Sequence, residues 1–430
     1  MNITDGSVRA AVKDFLTVAQ SSTVNPSSNF FNSAHGGFIS GSVYVSGSPE
    51  LTKAREECKA QIFKATGFGP SLISETEIDN LLNRTAAKQC ASGKDETSTF
   101  LEEITKSCRN EVDCILPNYI IYLDQEISSY AIGPVTIIRT DSIRQKFSKL
   151  DRVKIDFKSE PSGGLQVDGS MTLSYPEHSF VVRLQCSPNR RVSLAHWYVD
   201  IGSSLLRIFA RGAGIFNALS PHIGDRDPSP FNFDDGMSSH VVVNVNDDGI
   251  SYGGWTAGRY YLITNKLVNT FTDKQFESIA NKVFFPAKNS VADRLHRALG
   301  WLAKGRQSQE LATRFLFFFT ALESLLTTNN PGTPVTETIS RNVATMISDM
   351  DHRFSTYNIL KDLYSARSKT VHSGNREIPE SSCNMLQNIV EMTCYVALTK
   401  AIDKNESKFL AELTEAGFGS PWPRDENQLA

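Results

Sequence analysis

The chain lacks the marks of secretion and of membrane spanning. Its first residues, MNITDGSVRAAVKDFL, put no basic stretch ahead of an apolar run, and no window of about 18 residues is apolar throughout. A cytoplasmic protein without a membrane partner is the expectation. Cysteine is equally uninformative as a framework. The seven residues Cys58, Cys90, Cys108, Cys114, Cys186, Cys383 and Cys394 are scattered, with no C-x2-C pair, which argues against a zinc site and against a disulfide scaffold. They read as reduced and structural. Charge of one sign is also missing. With 44 Lys plus Arg against 47 Asp plus Glu, any contact with nucleic acid must be local rather than a property of the whole chain. The glycine pairs Gly36-Gly37, Gly163-Gly164 and Gly253-Gly254 never fall into G-x4-G-K-[ST] or G-x-G-x-x-G, so nucleotide hydrolysis is not expected. No repeat of fixed period is visible.

What is present divides the 430 residues into two kinds of pattern, more than one ordinary core would hold. Residues 7 to 20 space Val8, Val12, Phe15, Leu16 and Ala19 as a helix, with Ser7 placed to cap it. Positions 21 to 50 are rich in Ser, Asn and Gly, with ISGSVYV the one short strand. Helical spacing returns at about 49 to 66, 74 to 91 and 96 to 112. From 117 the period changes. YIIYLD, PVTIIRT, RVKIDFK, MTLSYP and SFVVRLQ predict an antiparallel sheet, a helix follows at 191 to 210, and HVVVNVND and GRYYLIT predict a further strand pair. Residues 1 to 285 are therefore expected to form an α+β domain, divisible near 115.

Beyond VFFPAKNS no strand pattern recurs. Helices are expected at 291 to 303, 307 to 328, 335 to 349, 354 to 373 and 381 to 403, with a short one at 406 to 416 and a polar tail at 417 to 430. This is an all-α bundle. The segment RFLFFFTALESLL, Arg314 to Leu326, is apolar nearly all round and should be its buried centre. Glu323 stands out there, on the face of Leu316, Phe319, Thr320 and Leu326. A carboxylate in that setting costs several kcal/mol to desolvate unless a cation or donors reach it, or unless the helix register leaves it at a solvent edge.

The helix at 354 to 373 carries Ile359, Leu360, Leu363, Tyr364 and Val371 as an inward stripe, and Ser373-Gly374-Asn375 as a stop. Arg367 and His372 occupy its last two turns, about 140° apart on an ideal helix. With ALESLL upstream and LYSARSKTVHSG around the pair, residues 291 to 416 resemble the HEPN superfamily, most of all its Apea-like branch. The family motif is Arg, a spacer of four to six residues, then His, and here it runs Arg367-Ser-Lys-Thr-Val-His372. Many members have Asn or Asp directly after the arginine; this chain has Ser368.

That resemblance implies metal-independent RNA cleavage, with no cofactor, in a composite site where two HEPN domains pair and each gives its Arg and His. The residue types suit the chemistry. RNA cleaves when its 2′-hydroxyl attacks the adjacent phosphate, which calls for a group titrating near neutrality and a fixed cation for the phosphorane. In this expectation His372 handles the proton, Arg367 holds the scissile phosphate, and Glu323 orients Arg367. Lys369, Arg376 and Ser368 are candidates to bind flanking RNA, or are simply surface residues. Relatives of this kind act as toxins or abortive-infection effectors on tRNA or other cellular RNA. The implied partners are RNA, a second copy, and a phage-derived or cellular trigger at the N-terminal domain. The alternative is a non-catalytic module that binds RNA or nucleotides, or only dimerises.

Two weaker patterns complete the reading. HIGDRDPSPFNFDDGMSSH, His222 to His240, gathers His and Asp but has neither EF-hand nor HExxH spacing, and reads as a polar loop with Asx turns. His196-Trp197-Tyr198 with Arg190, Arg191, Arg207 and Arg211 offers stacking and charge for RNA, but reads first as a packed helix.

Overall fold

The computed structural model describes residues 6–24, 37–40, 43–66, 72–146, 154–157, 172–212, 226–227, 229–231, 241–246, 249–254, 261–271, 274–327, 334–373 and 376–423. Within these spans the backbone alone is described at 144–145, 154–157, 172–175, 211–212, 241–246, 249–254, 270–271, 274 and 370–373. The chain forms two compact units, Met1–Cys114 with Arg183–His196, and Ile115–Val182 with Trp197–Ala430. Strands occur in the N-terminal part and the remainder is mostly helical, an α+β region followed by a helical one.

In the first unit, α1 (Gly6–Ser21), α2 (Pro49–Thr66), α3 (Glu75–Ser92) and α4 (Thr97–Arg109) share one core around Phe15, Leu51, Ile62, Leu82, Phe100 and Ile104. Local chemistry sets the ends of α3. Ser74 accepts from the Glu77 amide at its start, and Gly93 at φ +69° returns its N–H to Gln89 at its end. Beside these helices β1 (Thr23–Val24), β2 (Phe38–Ser40) and β3 (Val43–Val45) pair antiparallel in the order β1-β3-β2. ISGSVYV is thus two strands rather than one.

The helix expected to reach 112 ends at Arg109, and β4 (Glu111–Asn118) follows. The alternation in Glu111-Val-Asp-Cys-Ile marks that strand. It becomes decisive because Glu111 and Asp113 meet Gln185 and Arg183 side chain to side chain. The remaining strands are β5 (Ile121–Leu123), β6 (Ser129–Ile132), β7 (Val135–Arg139), β8 (Lys154–Phe157), β9 (Thr172–Tyr175), β10 (His178–Gln185), β11 (Val241–Asn246), β12 (Gly249–Gly254) and β13 (Tyr261–Ile263). One sheet runs β4-β10-β7-β6, with β10 antiparallel to β7 and β7 antiparallel to β6. Two other pairs, β8 with β9 and β13 with β5, are parallel, against the antiparallel expectation. Strand composition sets the tendency to pair. The path of the connecting chain sets the direction. Likewise β11 pairs with β12, a glycine-rich strand hidden from pattern reading, and not with β13.

Helices α5 (Ile143–Lys146), α6 (Arg191–Gly212), α7 (Asn265–Phe271) and α8 (Lys274–Phe284) come before the helical region of α9 (Val291–Gln307), α10 (Leu311–Leu326), α11 (Val335–Ile347), α12 (Arg353–Ser373), α13 (Glu380–Lys400) and α14 (Glu406–Ala416). α7 and α8 were not anticipated, although Phe276, Ile279, Ala280 and Val283 hold helical spacing and are buried. Phe315, Phe318, Phe319, Leu322, Leu325 and Leu326 make α10 the buried centre that its apolar run predicts. Arg294 of α9 donates to the carbonyls of Ser324, Leu325 and Thr327, satisfying the C-terminal end of α10.

The segment Trp197–Tyr198 of α6 is packing, as its apolar spacing predicts. Trp197 lies against the backbone of Gly300, where a Cβ would collide with its ring, and donates its indole N–H to His296 Nε2 at 3.1 Å. His296 Nδ1 is 3.0 Å from the Val283 carbonyl, so both ring nitrogens are satisfied and burial pushes its pKa down to about 4. Among the described residues no helix is long and apolar enough to cross a membrane.

Candidate functional site

Glu323 lies one turn from the end of α10, and Tyr364 and Arg367 lie three residues apart on α12, so the two α12 side chains share a helix face. The structure brings all three together. Arg367 Nη2 is 3.1 Å from Glu323 Oε1, and the Tyr364 hydroxyl donates to that same oxygen at 3.0 Å. The guanidinium carbon sits 5.2 Å from the centre of the Tyr364 ring, within cation–π range, and Phe319 meets that ring edge-on at 5.1 Å.

The Glu323 and Arg367 side chains keep 24% and 26% of their exposure, which decides between the two settings considered for Glu323. It sits at the rim of the bundle and not in its interior. A rim position needs less compensation than full burial, yet Glu323 has both a cation and a neutral donor. Burial, and after it the Glu323 carboxylate, push the Tyr364 pKa up to about 12, so the phenol stays a proton donor at neutral pH. Arg367 Nε is out of solvent and has no hydrogen-bond partner among the described residues.

The other motif residues are placed less fully. His372 lies in the last turn of α12 by its backbone, while its ring falls outside the described residues, as do Gly374 and Asn375. Ser368 is half-buried and Lys369 exposed on α12. Arg376 is exposed and stands 3.6 Å from Glu310 Oε1, a loose surface pair.

A second ionic cluster escaped sequence reasoning. Asp227, expected among the Asx turns of a polar loop, is 5% exposed and takes hydrogen bonds from Arg306, including one from Nε at 2.6 Å. The Arg306 Nη1 donates to Glu391 Oε1 at 3.1 Å, Arg207 Nε to the same oxygen at 2.9 Å, and Tyr261 donates its hydroxyl to Asp227. Most of the rest of that loop lies outside the described residues. The clue that singled out Glu323, an acid inside an apolar helix, stands equally at Glu391 in NIVEMTCYV and would have found this cluster. Among the described residues no group of three His, Cys, Asp or Glu side chains is arranged to hold a metal ion.

Compared with protein-family models, with curated proteins and with solved structures, the chain gives no match.

Proposed function

We propose that this chain is a HEPN-type endoribonuclease that cuts RNA by activating the 2′-hydroxyl against its neighbouring phosphate. The observation that supports this reading is the seat of Arg367. The arginine of the Arg-x4-His motif is held at one nitrogen by Glu323, rests on an aromatic face, and stands at the rim of the bundle. A guanidinium ordered before substrate arrives loses less freedom on binding phosphate, and its planar fork matches phosphate oxygens. His372, five residues on in the same helix, is in this reading the residue that transfers the proton. The reaction leaves a 2′,3′-cyclic phosphate on one fragment and a 5′-hydroxyl on the other, with the 2′-proton taken up and one returned to the leaving oxygen. In this reading two copies pair so that each contributes its arginine and histidine. In the same reading Ser368, Lys369 and Arg376 bind RNA flanking the cut, and the α+β region selects the RNA or senses a trigger, as in a toxin or antiphage effector.

The test is incubation of the purified protein with total RNA in EDTA, beside Arg367→Ala and His372→Ala. Cleavage by the parent protein that disappears in both variants supports the reading. RNA binding without cleavage, with and without extract of phage-infected cells, moves the chain to a non-catalytic binding module.

A further inference from the structure

Tyr364 carries no part of the Arg-x4-His motif, yet among the described residues the contacts that order Arg367 are made by it or beside it. Its hydroxyl ends on Glu323 Oε1, the oxygen that also takes Arg367 Nη2. Its ring lies under the guanidinium, and is itself fixed edge-on by Phe319 of α10. We infer that Tyr364 is a positioning residue for Arg367, an inference that rests on the ribonuclease reading only for what the positioned arginine then does.

The physical argument starts from flexibility. An arginine on a helix rim has rotamer entropy to lose before it can meet a phosphate in one orientation. A single carboxylate contact fixes one nitrogen and leaves the plane of the guanidinium free to swing. The Tyr364 face removes that freedom, because a cation rests best over the ring and not at its edge. Its hydroxyl acts on the other partner, restraining the Glu323 carboxylate, which would otherwise rotate in a half-exposed setting. The bond lasts across the working range, since the phenol remains protonated far above neutral pH. Nη2 is then committed to Glu323. Nε, which lies out of solvent, has no hydrogen-bond partner among the described residues.

Two readouts on Tyr364→Phe test this, because that substitution keeps the ring and removes only the hydroxyl. Arginine side-chain NMR should show the Arg367 guanidinium rotating faster than in the parent protein. In RNA cleavage kcat should fall about 3- to 10-fold, a part of the worth of one charge-linked hydrogen bond because the hydroxyl acts through Glu323, with KM within about twofold. Tyr364→Leu, which also removes the ring face, should fall further in kcat while thermal unfolding shows both variants folded. A parent protein that cuts RNA and a Tyr364→Phe variant with unchanged kcat and unchanged guanidinium rotation would overturn the positioning role and leave the ribonuclease reading standing. If the parent cuts nothing, the ribonuclease reading fails, and the NMR comparison alone decides the seat: faster rotation in Tyr364→Phe upholds it, and unchanged rotation overturns it.

Discussion

Two arginine–carboxylate clusters in the same compact unit differ in how completely they are satisfied. Around Arg306, which is 1% exposed, Asp227, Glu391, Arg207, Gln387 and Tyr261 interlock among themselves. Around Arg367, about a quarter exposed, one carboxylate oxygen and one aromatic face are engaged among the described residues. A saturated, buried network ties elements together, and its charges have nothing left to offer a ligand. An unsaturated cluster at the rim is costly enough in ordering to need explanation, and its spare donors can meet a substrate. Under the proposed function, the contrast separates the group that holds the fold from the group that meets substrate, although both consist of Arg, an acid and Tyr.

The largest effect expected is on stability at the buried cluster. Arg306→Met removes the cation of buried Asp227, leaving it to the Tyr261 hydroxyl and leaving Glu391 to Arg207 and Gln387, and should cost about 3–5 kcal/mol, read from the guanidinium chloride midpoint at unchanged slope. A cost below about 1 kcal/mol would erase the distinction between the two clusters. Next comes Arg367→Ala, expected to lower RNA cleavage about 100-fold or more while the same denaturation curve scarcely moves.

A third effect is pH-dependent and touches neither cluster. His296 is held neutral in the folded chain, with its pKa near 4 against the 6.5 of an ordinary histidine, so the unfolded chain binds more protons between those values. Stability is full above about pH 6.5 and is lost as pH falls toward 4. Between pH 7 and pH 5 the loss from this one residue is about 2 kcal/mol. Buried His178, whose pKa burial also lowers, adds in the same direction. Denaturation of the parent and of His296→Gln at both pH values checks this, since the variant should show the smaller drop. The smallest expected effect is Glu323→Gln, about 0.5 kcal/mol or less in stability, because an exposed-rim ion pair contributes little. A loss as large as that for Arg306→Met would place both clusters in the same structural class.

Much of this arrangement was legible in residue order, and the reasons are particular. The bundle helices follow from apolar spacing that no strand could use, as in Phe315, Phe318, Phe319 and Leu322 of α10. Glu323 was visible as an acid where apolar residues were expected. The polar seat itself was less visible. Tyr364 reads as one more member of an inward stripe, and nothing local shows that its hydroxyl ends on a helix about 40 residues earlier in the chain. Asp227 reads as a turn former because Pro and Asp surround it, and only Arg306 on another element turns it into a buried partner. Pairing direction failed for the same reason at β5 and β13, which lie far apart in the chain and meet in parallel.

By itself, then, the amino-acid order determined what each segment can be: helical period, cap, turn, apolar face, and an Arg-x4-His pair in the last turns of one helix. Those properties depend on neighbours within a few residues, where spacing converts directly into geometry. The tertiary structure alone decided which charges meet. That choice depends on desolvation and distance between elements remote in sequence, and it is what made Arg306 a buried tie and Arg367 a seated cation at the rim.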